Sequence, residues 1–207
     1  MGCKNNCLRI LQSNFFMAEY TGKLIIITAP SGAGKTSVTK YLLNKIPRLG
    51  FSVSATTRKP RSNETDGIDY YFITEEAFHK KIQDDDFIEW EMVYEGKFYG
   101  TFRSELERIW KENKVPLLDI DVKGAIHVFE QFDNNCLTIF IEPPSVEELE
   151  RRLNARGSES LETLQTRLNK AVFELSFKQH FNKIIINDDL RQACLEAEAA
   201  VNEFLNL

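Results

Sequence analysis

The chain has 207 residues, 43% of them hydrophobic and 28% charged, with no repeat or low-complexity tract. A chain of this kind is long enough to bury one sizeable core and too balanced in composition to be disordered or fibrous. Acidic residues outnumber basic ones 31 to 26, for a net charge of −5. That balance argues against a general binder of nucleic acid or of anionic membrane, because both partners reward a basic surface through counterion release. Any phosphate binding must therefore be local.

Residues 1–20 read as an N-terminal extension, with Met17 as a possible alternative start. The opening Met-Gly-Cys does not carry a full lipidation signal, since Asn6 stands where myristoylation wants Ser or Thr. The apolar stretch that follows is too short and interrupted for a signal peptide or a membrane span. A continuous apolar run from Lys23, KLIIIT, predicts a strand buried on both faces, followed by a glycine turn and a helix over Ser37–Ile46. Further core strands are expected near 50–54 and at Val115–Ile120, Leu137–Ile141 and Lys183–Ile186. Helical stretches near 122–131, 145–155, 160–179 and 189–205 separate or follow the later strands, and strands alternating with helices imply a parallel sheet. Ser145 with Glu148, after Pro143-Pro144, has the form of a capping box, and Ser160 before Thr163 gives a similar start signal. Between 55 and 103 the chain changes character. TEEAFHKKI reads as a short helix, and FIEWEMVYEGKFYGT as two short strands around a Glu95-Gly96 turn, so this segment is taken as an insertion on the parallel core.

The segment APSGAGKT, from Ala29 through Pro30, Ser31, Gly32, Ala33, Gly34 and Lys35 to Thr36, and continuing to Ser37, has the parts a nucleoside triphosphate needs. Gly32 and Gly34 let backbone N–H groups turn inward, Lys35 reaches the terminal phosphates, and the Thr36 hydroxyl can ligate magnesium. Ala29 takes the place of the first glycine in the usual pattern, which is tolerable where the backbone keeps a negative φ. This much points to an ATPase or kinase without naming an acceptor. Arg58 and Arg61, three apart in a loop with the later Tyr70, can hold one phosphate dianion by charge-assisted bonds, and equally suit a solvated charged loop. Asp119 and Asp121 fall at the end of a core strand, where open parallel sheets bind ligands, and acids capping a strand end would look the same. Glu89 beside Trp90 reads most simply as a strand-edge charge next to a core aromatic. Of the cysteines, Cys3, Cys7, Cys136 and Cys194, none has zinc or disulfide-framework spacing, and the later two suit reduced structural thiols.

TTRKPRSNETDGIDYYF, followed in order by FIEW, FYGT and LDIDVKG, resembles the guanylate kinase family over about residues 22–206. The resemblance implies an α/β fold: a three-layer parallel-sheet P-loop kinase core at 21–54 and 104–207, a small mixed α/β insertion at 55–103 that binds the nucleoside monophosphate, and a helical lid at about 152–167. It implies an enzyme that transfers the γ-phosphoryl group of ATP to GMP, and to dGMP, in cytoplasmic purine nucleotide metabolism, with Mg²⁺ as cofactor. Small molecules are then the partners, with neither nucleic acid nor membrane among them, and the oligomeric state stays open between monomer and homodimer. On the matching positions, Ser54, Arg58, Arg61, Tyr70 and Tyr99 would bind the GMP phosphate, while Glu89, Thr101 and Asp121 would read the guanine ring. Arg152, Arg156 and Arg167 would bring positive charge to the transferring group from the lid, Asn187 would lie near the adenine of ATP, and Asp119 would help order the magnesium shell with Thr36. Arg151 has no such match and is expected in solvent. His79, His127 and His180 invite no catalytic role, because an ionised phosphate acceptor needs no general base. A non-catalytic, phosphopeptide-binding relative of the family is the rival from another class, and the presence of Lys35, Thr36 and the lid arginines weighs against it. A kinase for another monophosphate or a sugar phosphate is the enzymatic rival.

Overall fold

The structure, a computed structural model, describes residues 22–155 and 161–206, with side chains at all of these but 161–164. The N-terminal extension, Arg156 and the Ser160–Thr163 start signal therefore lie outside what is described. Strand β1 (Leu24–Thr28) is buried along its whole length. Helix α1 (Lys35–Lys45) follows the glycine turn, and β2 (Leu49–Phe51) returns to the same sheet. Next come β3 (Ser54–Thr56), β4 (Tyr71–Phe72), α2 (Glu75–Gln83), β5 (Phe87–Tyr94) and β6 (Lys97–Phe102). The core resumes with α3 (Arg103–Lys111), β7 (Val115–Asp119), α4 (Val122–Phe132) and β8 (Cys136–Glu142). Helices α5 (Val146–Ala155) and α6 (Leu161–Leu175) precede β9 (Lys183–Ile186) and α7 (Leu190–Leu205).

Five strands form one parallel sheet in the order β2-β7-β1-β8-β9. Because successive side chains of a strand point to opposite faces, β1 feeds both layers around the sheet. Ile25 and Ile27 join Val38 and Leu42 of α1 and Ala197 and Val201 of α7 on one side. Leu24 and Ile26 join Leu106 of α3 and Ala125 and Val128 of α4 on the other. This is the three-layer core that a continuous apolar strand requires. Cys136 and Cys194 are free, buried thiols within these two layers.

Residues 54–102 build a second sheet, in the order β4-β3-β6-β5, with its own small aromatic core of Ala55, Phe78 and Phe87. The single core strand expected near 50–54 does not exist. It divides into β2, which pairs with β7, and β3, which pairs with β6 in the other sheet. Between them the Ser52 N–H still donates to Leu117 O (3.1 Å), while the Val53 N–H donates to Glu105 Oε2 (3.0 Å) on α3. A run of five suitable residues thus spans a change of sheet, which propensity alone does not reveal.

Candidate active site

The glycine turn is shaped by two left-handed residues, Gly32 at φ 94° and Gly34 at φ 103°. A methyl group at Gly34 would stand 2.1 Å from Asn187 Nδ2, so glycine is required there by space as well as by conformation. Ala29 is buried and is not among the positive-φ residues, which accounts for an alanine at this position. No side chain caps the start of α1, so its first N–H groups and the positive end of its dipole are left for an anion. Asn187, just beyond β9, is buried, and its Nδ2 donates to Ala33 O at 2.7 Å. It braces the loop from behind through that amide.

Lys35 bends back from the loop. Its Nζ pairs with Asp119 Oδ1 at 2.5 Å and donates to Ile120 O at 3.1 Å. Burial opposes the charge on this ammonium, but the Asp119 carboxylate more than offsets it and holds the Lys35 pKa above its ordinary value. Lys35 is therefore cationic throughout the physiological range. Thr36 stands exposed at the head of α1.

The second sheet presents its polar face to the same region. Along β6, Phe98 and Phe102 pack on the aromatic core, while Tyr99 and Thr101 alternate to the other side. Antiparallel register then sets Ser54, Thr101 and Glu89 in one row across β3, β6 and β5. Glu89 is buried and accepts the Thr101 hydroxyl at 2.6 Å. Burial, with Asp121 and Glu91 nearby, pushes its carboxyl up to about 8 despite the Thr101 hydrogen bond. Asp121 caps α4 by accepting the Gly124 N–H at 2.9 Å. Gly124 itself went unnoticed in the sequence. A Cβ there would lie 2.5 Å from Glu89 Oε2, so its absence makes room for the carboxylate.

Arg58, Tyr70 and Tyr99 come together in one cluster. Arg58 Nε donates to the Tyr99 hydroxyl at 3.1 Å, and its guanidinium lies over the Tyr70 ring, 4.9 Å from the centroid. Glu64, which no sequence pattern marks, receives Arg58 Nη1 and Nη2 at 2.6 and 2.7 Å in a two-pronged pair. This pairing raises the Arg58 pKa and lowers that of Glu64. Arg61 is mostly exposed and reaches Glu64 at 3.8 Å. An acid three residues after an arginine in a polar loop is normally solvated, so no pattern distinguishes this one.

Helix α5 lies over the glycine turn, where Leu149 and Leu153 would be 3.0–3.2 Å from a Cβ at Gly32. Its start is as read, with the Glu148 N–H donating to Ser145 Oγ at 3.1 Å. The Glu148 side chain binds Arg151 and Arg152 instead of closing the capping box, and these pairs hold its carboxyl down to about 2. Arg152 also donates to Asn187 O at 3.0 Å, Arg151 is largely in solvent, and Arg167 is half-buried on α6. Lys170 and Glu174, one turn apart on α6 and absent from the sequence reading, also face the cleft. The histidines stay outside it: His79 pairs with Glu75, His127 with Glu91, and His180 is exposed.

Two concavities result. One is lined by the glycine turn together with Lys170 and Glu174, and the other by Ser54, Glu89 and Tyr99. Lys35, Tyr70, Val93, Asp119 and Asp121 line both, so the two are halves of one cleft. A glycine loop at a helix start that faces a second pocket, lined by tyrosines and carboxylates, across shared walls is the arrangement of a P-loop nucleoside monophosphate kinase.

Comparison with known proteins narrows the class. The family model described as guanylate kinase matches residues 21–204. A guanylate kinase of Chlorobium chlorochromatii is 48% identical over 187 residues, covering 90% of this chain and 98% of that protein. One of Bacteroides thetaiotaomicron is 39% identical over 197 residues, covering 95% and 97%. The crystal structure of guanylate kinase from Anaplasma phagocytophilum superposes with a TM-score of 0.73 at 31% identity, covering 88% of this chain and 85% of that one. The chain belongs to the guanylate kinase family, the ATP:GMP phosphotransferases.

Proposed function

We propose that this phosphotransferase moves the γ-phosphoryl group of ATP directly and in line onto a phosphate oxygen of GMP, giving ADP and GDP. The bond from the γ-phosphorus to the ADP oxygen breaks as the bond to the GMP oxygen forms, with no covalent enzyme intermediate. The observation that carries the reading is the set of five residues, Lys35, Tyr70, Val93, Asp119 and Asp121, common to the two halves of the cleft, because it brings the phosphates of two nucleotides to one place. On the donor side the loop from Ala29 to Ser37 holds the triphosphate with its N–H groups, and Lys35 turns from Asp119 toward the terminal phosphates. On the acceptor side Arg58, Arg61, Tyr70, Tyr99 and Ser54 hold the GMP phosphate. Glu89, Thr101 and Asp121 accept or donate along the guanine edge. Guanine offers N–H donors at N1 and N2 and adenine does not, so a buried carboxylate facing that edge discriminates by roughly 10⁴-fold.

Arg152, Arg156 and Arg167 close over the transferring group as the lid adjusts, and positive charge there is worth roughly 10³–10⁵ in rate in related phosphoryl transfers. Asn187 sits at the adenine end of the loop. The Thr36 hydroxyl and the Asp119 carboxylate are hard oxygen donors beside the triphosphate site and suit Mg²⁺, which keeps most of its water and takes few protein ligands. When bound, that ion neutralises phosphate charge. We extend the acceptor to dGMP, since no residue assigned here addresses the ribose 2′-hydroxyl. The enzyme is further taken to act in the cytoplasm in purine nucleotide metabolism and GMP recycling; among the described residues no helix is long and apolar enough to cross a membrane.

An ADP-coupled assay with a panel of nucleoside and sugar monophosphates tests the reading. GMP is expected to be the best acceptor, and Lys35→Met to abolish turnover while the far-UV spectrum stays unchanged. Near-normal turnover by Lys35→Met, or a different preferred acceptor, would sink it.

A further inference from the structure

We infer that Lys170 is a positioning residue for GMP, a single ammonium that ties the lid helix α6 to the acceptor sheet and to the guanine-facing Asp121; this rests on reading that cleft as the GMP site. Its Nζ donates to Val93 O at 3.2 Å, pairs with Glu174 Oε1 at 3.2 Å and lies 3.7 Å from Asp121 Oδ2, with the Tyr94 ring beneath it at 5.1 Å from the centroid. An ammonium has three donors, and here three oxygens from three parts of the fold surround it. The strand carbonyl is available for a local reason: the register of β5 against β6 shifts between Met92 and Tyr94, which takes Val93 out of the regular ladder. Asp121 is held from two sides. One oxygen accepts the Gly124 N–H, and the other faces Lys170, which fixes the plane of the carboxylate. Glu174 is buried, so it keeps the ammonium in place rather than in water.

Removing the ammonium therefore takes away one of the two supports of Asp121, leaving its bond from the Gly124 N–H, and breaks the tie from α6 to the Val93 carbonyl of β5. Steady-state kinetics on Lys170→Met and Lys170→Arg, with GMP and ATP varied in turn, separates these effects. The Met variant is expected to raise KM for GMP by about tenfold, the size of one charge-assisted contact. KM for ATP should rise by less than KM for GMP, because Lys170 lines the donor half of the cleft but makes its contacts to Val93, Glu174 and Asp121. Lys170→Arg should recover most of the loss. If the Met variant does not fold, Lys170→Gln, with GMP binding followed by calorimetry, gives the same reading. An unchanged KM for GMP, or equal rises in both KM values, overturns the inference. Failure of the parent enzyme to use GMP at all would instead overturn the reading on which it rests.

Discussion

Glu89 divides its duties between two oxygens: Oε1 accepts Thr101, and Oε2 faces the bare Cα of Gly124 toward the cleft. Its carboxyl titrates at about 8 in the folded protein against 4.5 ordinarily, chiefly because it is buried. Between those values the folded state holds a proton that the unfolded state lacks. Its contribution to stability is therefore complete below pH 4.5 and is lost as pH rises through 8. Guanine needs the carboxylate form, so GMP binding near pH 7 should release about one proton, seen by calorimetry in buffers of different ionisation enthalpy. Glu89→Gln should abolish that release and weaken GMP binding by about 10²-fold or more while leaving ATP affinity unchanged. Equal losses for both nucleotides would remove Glu89 as a base reader. Gly124→Ala should also raise KM for GMP, because the new methyl group occupies the space of Oε2.

Helix α3 shows what the sequence concealed at the level of elements. RSELERIWK carries no cap that marks its start in the sequence, yet it is helical, and Glu105 within it supports the crossing from the core sheet to the second one. This carboxylate is buried, accepts the Val53 N–H and the Tyr71 hydroxyl, and pairs with Arg108. Burial alone would raise its pKa, but these hydrogen bonds together lower it. Glu105→Ala would leave a buried N–H and a hydroxyl without their acceptor, and is expected to cost about 2–4 kcal/mol in urea unfolding. The elements that were legible have local signals. The apolar run at Leu24–Thr28, the glycines before α1 and the Ser145 cap act over a few residues, and each appears where the sequence places it. The illegible ones depend on distant partners. The β2 to β3 break is decided by Glu105, the orientation of Arg58 by Glu64, and the setting of Asp121 by Lys170. Single residues in the cleft could be named from the family pattern, but the carboxylates and the ammonium that hold them could not, because nothing in their immediate neighbours marks them.

At the scale of the molecule, two sheets with separate cores share one cleft and are joined through residues 52–53 and the start of α3. Ligands should therefore protect different halves from hydrogen exchange: GMP the amides of β3, β5 and β6, ATP those of the glycine turn and the start of α1. Uniform protection by either nucleotide would contradict this division. Gly34→Ala should remove the ATP effect and leave the GMP effect, since the methyl group collides with Asn187 on the donor side. The pairing of Arg58 with Glu64 has a consequence for which molecules can enter at all. With the GMP phosphate placed at Arg58 as proposed, the pocket already contains an anion, so entry is an exchange of one negative group for another rather than the filling of a positive hole. A singly charged ester offers Arg58 no more than Glu64 already does, whereas a doubly charged one does. On that reading the resident carboxylate sets a threshold of charge for whatever takes the acceptor's place.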